Sequence, residues 1–138
     1  MRRTEIFRKQ HSDILSHMTK IKPLLREEEF NKDIFINSNA VLVLIGRITA
    51  HIIIEDKTIY SDALGHENVD VQSAAKKLNN EMENMREMFN NYRNRWKNLD
   101  AIKKDISSFL KESKIFFKCL SGLIEKEEYE LFTLIDNI

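Results

Sequence analysis

Glycine and proline are scarce in this sequence, with three glycines and one proline among 138 residues. Sheet-rich folds need both residue types at the turns between strands, so the shortage excludes an all-β fold and predicts long helices. Gly46, Gly65 and Gly122 lie too far apart for a dinucleotide-binding fingerprint or a Walker phosphate loop. Proteins that bind nucleotides through such loops are therefore excluded.

Cysteine and net charge set further limits. The single cysteine, Cys119, excludes an intramolecular disulfide, a cysteine-based zinc site and a complete iron–sulfur cluster. The 22 basic and 22 acidic residues balance, so no net field favours nucleic acid or an anionic membrane surface. The longest apolar run, residues 40–45, is far shorter than a membrane span. We expect a cytoplasmic protein that binds neither nucleic acid nor a membrane.

Four segments repeat apolar residues at alternating steps of three and four, the period of an amphipathic helix. They are segments A (residues 7–25), B (41–65), C (71–99) and D (106–134). A tight turn joins B to C, and a longer link joins A to B. The pattern predicts an all-α fold in which residues 1–138 form a single domain, an antiparallel up-down-up-down four-helix bundle.

An internal echo relates segments B and D. Residues 51–60 align with residues 123–132, and each stretch contains two acids followed, after two further residues, by an aliphatic and an aromatic residue. Superposing the apolar stripes of A and C sets His11 on Met82. The bundle is therefore predicted to consist of two helical hairpins related by an approximate two-fold axis.

Four polar residues interrupt the apolar stripes, namely His11, His51, Glu55 and Glu127. Burying an imidazole or a carboxylate without a partner costs several kcal/mol, so each of them requires one. At about 1.5 Å of rise per residue, all four fall within roughly one and a half turns of one level in the bundle. Two imidazoles and two carboxylates meeting in a dry core suit a first-row transition metal such as iron, zinc or copper.

Segment C contributes no histidine, and Glu81 is the one plausible ionic ligand that it offers at the same height. An alternative without metal stays open. In that alternative each of the two histidines bonds one of the two acids, and the four side chains form a buried polar network. The interruption therefore predicts either a metal site or a hydrogen-bonded network in the core.

Three features of the sequence belong together: His11 near the start of segment A, residues 51–60 (HIIIEDKTIY) and residues 127–132 (EEYELF). In combination they resemble the hemerythrin-like HHE cation-binding family, and the resemblance spans nearly the whole chain. It implies a four-helix bundle with a non-haem di-iron centre. The implied ligands are one histidine from A, a histidine and a glutamate from B, two histidines from C, and a histidine and an acid from D.

Carried over by position, His11 and His51 match the histidines of one iron, and Glu55 and Glu127 match the bridging carboxylates. The sequence departs from the family pattern because C has no histidine and Leu123 stands where D should carry one. Three outcomes stay open: a carboxylate-rich di-iron site, a mononuclear site near a two-histidine, one-carboxylate arrangement, or an empty bundle. In the first outcome Glu81 would join the two other glutamates.

The resemblance implies a hemerythrin-like metal-binding protein with iron as its cofactor. Its implied role is oxygen or oxidant sensing, iron handling or redox protection, with dioxygen as a further partner. Enzymatic turnover is not indicated, because no pair of nucleophile and base stands out. The rival interpretation, from another class, is a metal-free helical-bundle module that binds a protein partner or associates with itself.

Overall fold

The computed structural model describes residues 3–138, and every regular element in that range is helical, which confirms the all-α class. The long helices α1, α3, α5 and α7 correspond to the four predicted segments. The elements follow one another in this order: α1 (Glu5–Ile21), a 3-10 turn (Lys22–Leu24), α2 (Glu27–Lys32), α3 (Ile34–Glu55), a first π segment (Asp56–Tyr60), α4 (Ser61–Leu64), α5 (Val69–Arg95), α6 (Leu99–Lys104), α7 (Ile106–Lys126), a second π segment (Glu127–Phe132) and α8 (Thr133–Asp136).

The sequence predicts Thr4 and Asp70 as the N-caps of α1 and α5. Thr4 does precede α1, but its hydroxyl bonds the Asp136 carboxylate instead of a backbone amide of the helix. The prediction of Asp70 is wrong, because Asn68 precedes α5 and accepts hydrogen bonds from two backbone amides in its first turn. Helix α1 ends just before Pro23, which lacks an N–H group and turns the chain into a 3-10 segment.

The third predicted segment is interrupted near its end. Helix α5 ends at Arg95, and Trp96 leaves the helical conformation with φ −111° and ψ 44°. Asn98 then caps α6, since its side chain accepts a hydrogen bond from the Ala101 amide. The apolar spacing through Leu99 predicts one helix, whereas the structure has two. The apolar spacing continues through the break because Trp96 is buried there.

The long helices pack in pairs, α1 against α3 and α5 against α7, and α6 contacts both α3 and α7. Their buried apolar side chains form one core, which includes Ile48, Leu78 and Phe116. Burying a side chain of this size contributes about 1.5–3 kcal/mol relative to leaving it exposed. The second π segment contacts α5, so Glu127 at its start lies inside this packing.

The two π segments occupy corresponding positions in the internal echo. The first begins just after Glu55, and the second begins at Glu127. A π turn adds one residue to a helical turn, so it rotates the side chains that follow, and such turns are frequent at functional sites. In each echo stretch, the first acid and the last aromatic residue are buried. The aromatic residue is Tyr60 in the first stretch and Phe132 in the second.

One stretch within residues 3–138, Ile34–Leu64, is long and apolar enough to cross a membrane by length and composition alone, with a mean hydropathy of 1.4. It comprises α3, the first π segment and α4. Of its most apolar window, 44% is buried inside the structure. A central helix packed within a helical core has the same composition.

Candidate metal centre

Four side chains meet inside the helical core at the level of the π segments. Helix α1 supplies His11, α3 supplies His51 and Glu55 one turn apart, and the second π segment begins with Glu127. Each residue offers a nitrogen or oxygen atom within 4.8 Å of the atoms from the other three. All four are buried, with His11 at 0% and His51 at 6% exposure. The structure thus brings together the four polar residues that interrupt the apolar stripes.

Glu55 lies between the two imidazoles and directs one oxygen toward each. Its Oε1 is 2.9 Å from His51 Nε2, and its Oε2 is 3.5 Å from His11 Nε2. The spacing of four residues along α3 places His51 and Glu55 on one helix face. On the other side, Glu127 Oε1 is 3.1 Å from His11 Nε2. His11 Nε2 is therefore within 3.5 Å of two carboxylate oxygens.

Three of these buried atoms have no hydrogen-bond partner despite the short distances: His11 Nε2, His51 Nε2 and Glu55 Oε2. A buried polar atom without a hydrogen bond costs about 1–3 kcal/mol, so three of them in one cluster form a substantial penalty. A cation between them would satisfy all three at once. Two imidazole nitrogens and hard carboxylate oxygens are a donor set that first-row transition metals prefer. The residues present therefore fit a bound metal.

The opposite ring nitrogens are both held by acceptors. His11 Nδ1 donates to Glu128 Oε2 over 3.0 Å, and His51 Nδ1 donates to Gln10 Oε1 over 2.6 Å. Because a carboxylate and an amide oxygen accept only, each Nδ1 carries a proton and each Nε2 faces the cluster. Metal-binding histidines are oriented in this way by their outer hydrogen bonds. The sequence alone gives no sign of the role of Gln10, and it predicts a solvated surface position for Glu128.

Charged and polar neighbours near the protein surface hold the Glu128 carboxylate in place. Arg8 Nη1 lies 3.3 Å from Glu128 Oε1, and Arg8 Nη2 lies 3.1 Å from Asp136 Oδ2. Arg8 Nε also donates to the Thr4 hydroxyl over 2.9 Å. This network joins the start of α1 to the end of the chain and keeps the Glu128 carboxylate beside the His11 ring.

Charges within the cluster shift its pKa values. Burial lowers the pKa of the His11 imidazole, but close contact with Glu127 and Glu55 outweighs this effect and raises the pKa to about 10. Burial raises the pKa of the Glu55 carboxyl, and His11 and His51 overcome it, holding that pKa well below its usual range. Burial and the charge of Glu55 raise the pKa of Glu127. Without a metal, a proton on His11 therefore balances the ionised Glu55.

Two aromatic residues border the cluster, one from each π segment. The Tyr60 hydroxyl donates to Glu127 Oε2 over 2.6 Å, and Tyr60 is 2% exposed. Burial and the neighbouring Glu127 raise the pKa of the Tyr60 phenol far above its usual value, so the phenol keeps its proton. The Phe132 ring stacks on His11 with centroids 5.4 Å apart. The apolar stripes predict no role for Tyr60, and its place in the internal echo is the one signal in the sequence that points to it.

Glu81 lies apart from the other predicted ligands. Its carboxylate is 3.3 Å from the Lys126 ammonium, and its side chain is 34% exposed. It directly precedes Met82, which is buried, and one residue along a helix turns the side chain by about 100°. The structure therefore directs Glu81 outward to a surface ion pair and does not bring it to the cluster.

A comparison with protein families decides the relationship of this chain to known proteins. The model of the hemerythrin HHE cation-binding domain matches residues 2–135, nearly the whole chain. The chain belongs to the hemerythrin HHE cation-binding family. Among curated proteins and solved structures, no match to this chain is found. Membership in this family indicates cation binding, and the structure contains a buried group of histidine and glutamate side chains that could hold a cation.

This hemerythrin-family chain keeps one half of the implied ligand set and lacks the other. Helix α5 has no histidine, and Met82 is buried on it at the position that the sequence superposition pairs with His11. Leu123, which stands in place of the family histidine on α7, is 8% exposed. Apolar side chains therefore occupy the positions from which a second set of imidazoles would come.

His51 connects the hemerythrin-family cluster to the surface. With Gln10, it lines a surface cavity of about 190 Å³. Asp13 and Arg47 also line the cavity and form an ion pair of 2.6 Å. The cavity places the Gln10 side of His51 next to the protein surface.

Proposed function

We propose that this protein is a hemerythrin-like, non-haem iron-binding protein whose ligands are His11, His51, Glu55 and Glu127. The observation that carries the proposal is the set of three buried, unpartnered ligand atoms within the cluster. Two neutral imidazoles with carboxylate oxygens suit iron, and also zinc or copper. The family pattern favours iron among these metals. Residues 1–138 act as one domain, with the four long helices running up-down-up-down.

Iron held here would supply a redox-active Lewis acid with coordination positions left for a small molecule. The residues of the chain provide the setting for that chemistry. Gln10 and Glu128 fix both imidazoles through Nδ1. Tyr60 keeps a proton on its oxygen beside Glu127, and Phe132 covers the His11 ring.

The physiological role that we propose is oxygen or oxidant sensing, iron handling or redox protection in the cytoplasm. The cluster is nearly closed to solvent, and its contact with the surface is the small cavity beside His51. Such a site suits the binding of an ion and of a small molecule such as dioxygen better than the processing of a large substrate. We therefore do not propose enzymatic turnover.

Metal analysis tests this proposal. Wild-type protein and a His51→Ala variant are expressed with added iron, desalted and measured by mass spectrometry for bound metals. His17→Ala is the matched control, because His17 is a half-buried histidine outside the cluster, with 35% of its side chain accessible. We expect iron in the wild type and the control, and a loss of about tenfold or more in His51→Ala. Equal metal contents in wild type and His51→Ala would contradict the proposal.

A second candidate function is a metal-free module that binds a protein partner or a second copy of itself. Exposed apolar side chains near the start of α3 favour it, since Phe35 is 67%, Ile36 is 62% and Val43 is 50% exposed. Sedimentation of wild type and a Phe35→Ser/Ile36→Ser variant tests self-association. Association that is lost in the variant and independent of iron would support this candidate.

A further inference from the structure

The internal echo divides the cluster into two halves. Aligning residues 51–60 with residues 123–132 pairs Glu55 with Glu127, His51 with Leu123 and Tyr60 with Phe132. The structure carries a similar repeat, because each stretch changes into a π segment within its pair of acids, at Asp56 in one and at Glu127 in the other. The half with the histidines comprises His11, His51 and Phe132, whose ring stacks on His11. The other half comprises their counterparts, which are Met82, Leu123 and Tyr60.

The second half offers no nitrogen ligand in the described residues. Met82, the counterpart of His11, is 2% exposed, and Leu123, the counterpart of His51, is 8% exposed. Both are part of the apolar core. A methionine thioether is a soft ligand and a leucine is none, so these residues do not fit a second iron ion.

The Tyr60 hydroxyl limits how many oxygens of Glu127 can bind a cation. Glu127 Oε1 faces His11 Nε2 at 3.1 Å, while Glu127 Oε2 accepts the Tyr60 hydroxyl proton at 2.6 Å. A carboxylate that bridges two cations through both of its oxygens gives one oxygen to each. Here the second oxygen already accepts a strong hydrogen bond from a buried phenol. Both oxygens of Glu55 face the histidines, with Oε1 2.9 Å from His51 Nε2 and Oε2 3.5 Å from His11 Nε2, so they lie on the histidine side of the cluster.

We propose that this chain holds a single cation, and that the Tyr60 hydroxyl occupies the place of a second one by bonding Glu127 Oε2. This inference rests on the proposed function, because it takes cation binding at the cluster as given. Tyr60 is a positioning residue in this account. It keeps Glu127 Oε1 as the ligand atom of a site that has become mononuclear.

Counting bound metal tests the proposal directly. Metal-free protein is titrated with Co²⁺ without oxygen, and the endpoint is read by calorimetry and by the visible absorption of the bound ion. The wild type is expected to bind one Co²⁺ per chain. Two per chain would overturn this proposal and leave the proposed function intact, whereas none would overturn the proposed function and this inference with it.

A Tyr60→Phe variant tests the role of the hydroxyl. We expect unchanged stoichiometry, an affinity for Co²⁺ lower by about tenfold, and a shifted visible spectrum, because an outer hydrogen bond to a ligand is lost. Tyr92→Phe is the matched control, since Tyr92 is also buried and its hydroxyl bonds Ser113 instead. An affinity and spectrum equal to those of the wild type would overturn the role of Tyr60.

Rebuilding the second half provides an independent test. Met82→His/Leu123→His restores two imidazoles but keeps Tyr60, and we expect it to bind one Co²⁺. Adding Tyr60→Phe to this pair should raise the number to two, because Glu127 Oε2 becomes free. Circular dichroism checks that both variants are folded. If both variants are folded and bind the same number of ions, Tyr60 does not limit the number of cations at the site. If either variant is unfolded, the number of ions bound by the wild type and the affinity of Tyr60→Phe decide whether the proposal holds.

Discussion

His51 Nδ1 donates a hydrogen bond to Gln10 Oε1 over 2.6 Å, and this bond links α3 to α1 beside the cluster. The two residues lie 41 positions apart in the sequence. This bond fixes the plane of the His51 ring and directs Nε2 toward Glu55. The orientation of one candidate ligand therefore depends on a residue that offers no ligand itself.

Replacing Gln10 tests that dependence. In Gln10→Leu the His51 ring loses its acceptor, so metal affinity should fall by about 10-fold to 100-fold. Gln10→Glu retains an acceptor at the same place and should bind metal more tightly than Gln10→Leu. Calorimetric titration of metal-free protein measures all three forms. Identical affinities for Gln10→Leu and the wild type would show that the bond does not orient His51.

Removal of His11 should destabilise the metal-free protein. The ionised Glu55 and the buried Glu127 would lose the imidazole between them, and breaking a buried charged pair costs about 3–5 kcal/mol. We therefore expect the free energy of unfolding of His11→Leu, measured with urea and a chelator, to fall by about that amount.

The matched control for His11→Leu is Glu81→Gln. The ion pair of Glu81 with Lys126 lies at the surface, and pairs of this kind contribute about 0–1 kcal/mol. The same variant should keep the wild-type number of bound metal ions, because Glu81 lies outside the cluster. A large loss of metal in Glu81→Gln would restore Glu81 as a ligand.

Stability of the metal-free protein should depend on pH through His11. Its folded pKa of about 10 lies above the usual 6.5, so its contribution is complete below pH 6.5 and is lost as the pH rises toward 10. Urea unfolding in the presence of a chelator, at about pH 6, 8 and 10, measures this loss of stability. His11→Leu should lack that part of the pH dependence. An equal slope in both proteins would contradict the assignment.

Metal binding near neutral pH should release a proton. Because His11 is protonated in the metal-free cluster, a metal ion must displace that proton to reach Nε2. Calorimetric titrations in two buffers with different ionisation enthalpies measure the number released, which we expect to be about one from this residue. Release that is unchanged in His11→Leu would show that the proton comes from elsewhere.

The sequence was sufficient to predict the helical class and to single out the four polar residues of the cluster. A buried stripe repeats with the helical period, so polar residues such as His51 and Glu55 are visible where they interrupt it. The approximate level of each interruption follows from the constant rise of a helix. These are properties of single helices, which a sequence records directly.

The remaining features depend on contacts between helices or on small rotations. Gln10 acts through a partner 41 residues away, and no pattern in the sequence indicates it. Tyr60 acts through a partner 67 residues away, and the internal echo is the one signal for it. The sequence predicts Glu81 at the cluster, but its side chain lies at the surface. A shift of one residue along α5 separates this surface position from the buried Met82. The π segment after Glu55 also rotates the residues that follow, and a regular period does not anticipate this rotation.

Iron content after anaerobic loading is the most direct test of whether the cluster holds one iron ion. Wild type and a His11→Leu/His51→Leu variant, which loses both imidazoles, are incubated with Fe²⁺, desalted and analysed for iron per folded chain. We expect one iron per wild-type chain and essentially none in the variant. Iron retained equally by the variant, or absent from the wild type, would contradict it.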